Sequence, residues 1–184
     1  MNYAVSSYEN YDEENRRIKM AKTLINTIIE QTDIMFSNMT ITLNTCNLNA
    51  VICEIPIWKH LYHTLHSLDQ WFINPGIYDE PAFHKENLNS LDIKSDTSLT
   101  KEELIEYFDG IKIKINKYLS GLTDDMLYEK PEKCEYTRLA LVLGQYRHFM
   151  CHIGIINCAT ISETGKWPRV NGLLNKNVEN EYFE

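Results

Sequence analysis

The chain has 184 residues, of which 43% are hydrophobic and 24% are charged. These shares are typical of one globular domain spanning residues 1–184, and they exclude wholesale disorder. Its 18 basic residues are outnumbered by 26 acidic ones, so the net charge is −8. Clustered Lys and Arg are what binds phosphate backbones, so this balance argues against nucleic-acid partners and against docking on anionic membranes.

The sequence carries no feature that directs it out of the cytoplasm. The first residues show no basic segment followed by an apolar one, so no signal peptide is expected. The most apolar stretch, residues 139–161, is interrupted by polar and basic side chains, so no transmembrane span is expected. Five cysteines without a Cys-x-x-Cys pair suit a reducing compartment. We therefore expect a cytoplasmic protein.

Two amphipathic helices are predicted in the first half of the chain. Apolar residues recur at steps of three and four over residues 13–39 and again over residues 56–72. The second helix begins with Pro56, and Asn74-Pro75-Gly76 follows its end. Residues 77–98 show no period and predict a long connection. Because this connection carries Tyr78, Phe83 and His84, we expect it to pack over the body of the protein.

A third helix is predicted over residues 100–120. Thr100 and Glu103 form a capping box at its start, and Gly121 is a suitable end. Residues 111–115 alternate between Ile and Lys as a strand would. The apolar spacing across the whole segment and both end signals nevertheless favour a helix.

A fourth helix is predicted over residues 135–162. Its main apolar stripe is accompanied by a second row, the small-residue seam, formed by Ala140, Gly144, Cys151, Gly154 and Cys158. This pattern predicts a central helix that is buried nearly all round. Four helices with one long connection, between helices two and three, predict an all-α four-helix bundle.

Five of the six histidines fall in two short windows. His148 and His152 are four residues apart, so they are adjacent on one face of the fourth helix, at the flank of its apolar stripe. Two imidazoles at this spacing can bind one divalent ion. Position 149 is Phe, so the His-Glu-x-x-His pattern of zinc proteases is excluded. The alternative is that the histidines are core residues of a structural dimer.

The second helix carries His60, His63 and His66, which step around it and cannot all point one way. A helical wheel places His60 and His66 at the flanks of the apolar stripe and His63 nearer the polar side. Periodicity alone therefore leaves open which of the three would join a site with the fourth helix.

Residues 55–72 and 143–157, the latter with His148-x-x-x-His152-x-Gly154, resemble the DinB/YfiT-like superfamily of metal-dependent hydrolases. The resemblance implies a four-helix bundle that holds one divalent ion on one histidine of the second helix and two of the fourth. Matched to this sequence, the implied ligands are His63, His148 and His152. By ligand type the ion would be Zn, Ni or Fe.

Three imidazoles leave coordination positions for water, which suits catalysis. The resemblance implies a small-molecule substrate and either hydrolysis or transfer of a low-molecular-weight thiol. The alternative is a non-catalytic small-molecule-binding or stress-related bundle, metal-free or with a structural metal.

Three further charged residues are weaker candidates. Asp69 and Glu54 could accept hydrogen bonds from a ligand histidine, although carboxylates on the helix surface are the simpler interpretation. Arg147 could bind an anionic substrate or form an inter-helix ion pair. The first helix and the small-residue seam offer more apolar surface than one bundle needs, so we expect a homodimer.

Overall fold

A computed structural model of the chain describes residues 23–173 and 181–183. Four helices pack against one another as predicted, with a two-stranded antiparallel hairpin that the sequence did not predict. The elements are α1 (Leu24–Thr45), β1 (Val51–Ile52), β2 (Ile55–Pro56), α2 (Ile57–Trp71), α3 (Lys101–Ser120) and α4 (Arg138–Thr164). The predicted helical residues 13–22 lie outside the described part of the chain.

Helix α1 begins at a cap supplied by a distant part of the chain. The Asp124 carboxylate accepts hydrogen bonds from the backbone N–H groups of Leu24 and Ile25, at 2.9 and 2.8 Å. Locally, the Thr23 hydroxyl accepts from the N–H of Asn26. These bonds satisfy backbone donors that no helix can pair internally at its first turn.

Helix α2 is the most buried of the described helices, with 11 of its 15 residues buried, against 8 of 27 in α4. The prediction that α4 is buried nearly all round is therefore wrong. Most of the small-residue seam is exposed, and apart from the helix's own backbone and the adjoining residues no described atom lies within 4 Å of where a Cβ would stand at Gly144 or Gly154. Helix α4 buries its large apolar residues against α1 and α2 and leaves the seam outside.

Helix α3 confirms the prediction at the point where the helical and strand periods compete. Both hydrogen bonds of the capping box between Thr100 and Glu103 are present. Ile111 and Ile115 are buried, while Ile113 is 71% exposed. The apparent alternation therefore comes from one isoleucine on the outer face of a helix.

The long connection, residues 72–100, packs over the body of the protein as predicted, and the structure shows that it does so on α2 and α3. Phe83 packs against the rings of Tyr62 on α2 and Tyr107 on α3, with ring centroids 5.9 and 5.2 Å apart. Leu88 is only 2% exposed, and the Lys59 ammonium donates to the Ile93 carbonyl. These contacts hold the connection against the helix that carries three of the histidines.

By length and composition, α4 is the one described helix that could cross a membrane. Core helices of soluble proteins, which are mostly buried, pass the same test. In α4, 33% of the most apolar window is buried.

Candidate metal centre

Helices α2 and α4 bring three histidine side chains together. His63 lies in the middle of α2, and His148 and His152 lie one turn apart on α4. The His148 Nε2 atom is 3.3 Å from Nε2 of His63 and 3.2 Å from Nε2 of His152. We call these residues the three-histidine group; their ligand nitrogens all lie within 4.8 Å of one another.

Three neutral imidazoles do not carry enough N–H protons to form hydrogen bonds across both of these short contacts. The Nδ1 atom of His63 is 2.7 Å from the Asn89 carbonyl oxygen, which only accepts, so Nδ1 carries the proton and Nε2 has a bare lone pair. A hydrogen bond to that lone pair requires a proton on Nε2 of His148. The same proton would then have to serve His152 as well. Otherwise two lone pairs face each other, and a cation between the three nitrogens removes this conflict.

The separations also match those of nitrogens around a transition metal. Bonds of ~2.0–2.1 Å at tetrahedral angles place the ligand nitrogens about 3.3 Å apart. The two short separations, 3.3 and 3.2 Å, are close to this value. The donor set of three imidazoles suits Zn, Ni or Fe.

Burial keeps the two α4 histidines neutral. Desolvation is the main cause that lowers the pKa of both, and the neighbouring imidazoles lower it further. The pKa of His152 falls to about 4. Their Nδ1 atoms are buried and have no hydrogen-bond partner in the described chain. Neutral imidazoles are the form that binds metal, so neither residue has to lose a proton first at pH 7.

The structure distinguishes the three α2 histidines that the sequence left open. His63 faces α4, whereas the Nε2 atom of His66 is 2.6 Å from Glu80 Oε2. His60 is buried, and its ring centroid is 6.5 Å from that of His152, outside the three-histidine group. The helical wheel misplaced His63 because α2 is covered on several sides, so its apparently polar side is the side that meets α4.

The weaker candidates have other surroundings. Asp69 is 9% exposed and accepts hydrogen bonds from Tyr78, Tyr107 and Lys114, so it is neither a surface residue nor a partner of a ligand histidine. Glu54 is an exposed residue 3.8 Å from Lys94. The interpretation of Arg147 as an inter-helix ion pair is wrong for the described residues, where its side chain is exposed and forms no such pair.

The long connection supplies polar groups that the sequence reasoning missed. The Asn89 carbonyl orients His63, and the Asn89 side-chain amide is 3.2 Å from Nδ1 of His66. Glu80 and His84 stand beside His66. The histidine and aromatic residues of this segment were a usable signal for packing, but a backbone carbonyl has no signature in a sequence.

Comparison of the chain with family models, with curated proteins and with solved structures finds no match.

Proposed function

We propose that this protein is a metal-dependent enzyme of the DinB/YfiT-like type, in which His63, His148 and His152 hold one divalent ion. The observation that carries the proposal is the convergence of three Nε2 atoms with too few protons to satisfy one another. The four packed helices and the His148-x-x-x-His152-x-Gly154 pattern support it further.

Each ligand has a defined part. His63 is held by the Asn89 carbonyl with its proton on Nδ1, so its Nε2 lone pair is directed to the site. His148 and His152 are neutral at pH 7 and offer Nε2 without losing a proton. An ion bound here would leave positions for water or a thiol and would lower the pKa of either.

The proposed reaction is hydrolysis of an ester, amide or thioester, or transfer of a low-molecular-weight thiol to a small electrophile. Both reactions need a water molecule or a thiol that loses its proton near neutral pH. A divalent ion held by three imidazoles can lower the pKa of either in this way. We place the protein in the cytoplasm. Its five cysteines are all unpaired, as a reducing compartment maintains them.

The first test is the metal content of purified, metal-loaded protein. We expect His148→Ala and His152→Ala each to remove one divalent ion per chain, because two remaining imidazoles are a poor site. His60→Gln is the matched control, since His60 lies outside the group on the same helix as His63. The proposal fails if the double variant at 148 and 152 keeps the full metal content of the wild type.

The second test is activity. The metal-loaded protein is screened against esters, thioesters and thiols paired with small electrophiles, and turnover should disappear in His148→Ala. Bound metal without turnover would favour the alternative of a non-catalytic binding or stress-related bundle.

A further inference from the structure

A second group of potential metal ligands lies at the junction of α2 and the long connection. It consists of His66, Glu80 and His84, whose ligand atoms all lie within 4.8 Å of one another. We call it the loop cluster. One oxygen of Glu80, Oε2, is 2.6 Å from Nε2 of His66 and 3.9 Å from Nδ1 of His84. The two imidazole rings have centroids 4.8 Å apart.

We propose that the loop cluster binds a second divalent transition-metal ion, separate from the three-histidine group. Two imidazole nitrogens and one carboxylate oxygen form a donor set that suits Zn, Co, Ni or Fe(II). His66 is 2% exposed, whereas the Glu80 side chain is 49% exposed. An ion can therefore enter from the Glu80 side and meet a nearly dehydrated imidazole beneath.

Metal binding to His66 requires its ring proton to move from one nitrogen to the other. In the structure Nε2 of His66 donates to Glu80, and the Asn89 amide donates to Nδ1. When Nε2 takes a metal, its proton moves to Nδ1, and the Asn89 amide rotates to present its oxygen as acceptor. No net proton is gained or lost by His66 in this exchange.

His84 undergoes a parallel change. Its Nδ1 atom is 2.7 Å from the Tyr62 hydroxyl. Burial raises the pKa of Tyr62, so the phenol keeps its proton and can donate a hydrogen bond to this nitrogen. The Tyr62 oxygen lies where an ion on this lone pair would sit, so binding through Nδ1 would require the His84 ring to turn away from Tyr62.

Asn89 connects the two groups. Its carbonyl accepts from His63 and its side chain contacts His66, which lies one turn further along α2. An ion in the loop cluster would fasten the connection to α2 through Glu80 and His84. The same fastening would hold the carbonyl that orients His63.

The test is the stoichiometry of Co²⁺ binding to chelator-treated full-length protein. Equilibrium dialysis and the visible absorption of the bound ion both measure it. We expect two Co²⁺ per chain in the wild type and one in Glu80→Gln and in His84→Asn. Asp79→Asn is the control, because Asp79 is an exposed neighbouring carboxylate outside the cluster; it should keep two. Circular dichroism establishes that each variant is folded, and Glu80 is a half-exposed side chain whose replacement by Gln preserves its shape.

Combining variants separates this proposal from the preceding one. His148→Ala should lower the stoichiometry from two to one, and His148→Ala with Glu80→Gln should lower it to zero. A wild type that binds one ion, lost in His148→Ala and kept in Glu80→Gln, overturns the second site and leaves the first. A wild type that binds one ion, kept in His148→Ala and lost in Glu80→Gln, supports the loop cluster while the three-histidine proposal fails.

Discussion

Asp69 is a buried carboxylate that joins three parts of the molecule. It lies on α2 and accepts hydrogen bonds from Tyr78 in the long connection and from Tyr107 and Lys114 on α3. We expect Asp69→Ala to lower the free energy of unfolding by about 2–3 kcal/mol, because two partly buried phenols and the Lys114 ammonium lose their shared charged acceptor. Urea denaturation measures this loss.

The control for this prediction is Asp109→Ala. Asp109 pairs with Lys112 at 2.6 Å, but its side chain is 55% exposed, so its loss should cost ~0.5 kcal/mol or less. If both variants lose the same free energy of unfolding, the hydrogen bonds to Asp69 do not stabilise the protein as proposed.

The partly buried His152 should make the metal-free protein sensitive to acid. His152 binds a proton at about pH 4 in the folded protein and near its ordinary value of 6.5 when unfolded. Between pH 4 and pH 6.5 the unfolded state binds more protons than the folded state. The free energy of unfolding should therefore be highest above pH 6.5 and fall as the pH drops toward 4. Urea denaturation in chelator at several pH values measures the slope. His152→Gln should flatten it, and an unchanged slope would show that this histidine is not the cause.

Among single residues, the sequence predicted which histidines meet on one helix better than which histidine faces them from another. The four-residue spacing of His148 and His152 places both on one helix face, and the structure does bring them together. The selection of His63 came from the family resemblance, because a helical wheel assumes one buried stripe and α2 is buried on most of its surface. Asn89 was beyond prediction, since its contribution to His63 is a carbonyl that every residue has.

At the scale of elements, helix α1 depends on Asp124 for its start. We expect Asp124→Ala to lower the free energy of unfolding by about 1–2 kcal/mol, because two backbone donors at 2.8–2.9 Å lose a charged acceptor. Equilibrium denaturation measures the change. Asp125→Ala is the matched control, since Asp125 is the exposed neighbour, and the prediction is wrong if both variants lose the same amount.

Sequence signals that act between neighbouring residues predicted the ends of α2 and α3 well. The capping box at Thr100 and Glu103 is a short-range device, so it marked the start of α3 correctly. The burial of α4 was predicted wrongly because small residues are compatible both with close packing and with an open face. Which of the two occurs depends on the position of the neighbouring helices, and periodicity within one segment does not contain that information.

For the molecule as a whole, the exposed small-residue seam bears on association. Ala140, Cys151, Gly154 and Cys158 are exposed along one side of α4, beside Leu143, which is 41% exposed. We expect a homodimer in which this face meets the same face of a second copy. Light scattering should give twice the 21.6 kDa of one chain, and Gly154→Glu should return the mass to that of one chain. A wild-type mass of one chain at micromolar concentration would contradict the prediction.

The cap that Asp124 provides for α1 also has a consequence for the order of folding. Its two bonds join residues 99 and 100 positions apart, so they close a very long loop and yield their energy only after the intervening chain has been arranged. We expect these contacts to form late, so that the transition state for folding lacks them. Asp124→Ala should therefore leave the refolding rate nearly unchanged and accelerate unfolding by the full loss of stability, which stopped-flow chevron plots can measure. The cap at the start of α1 would then determine the unfolding rate, and so the lifetime of the native state, but not the folding rate.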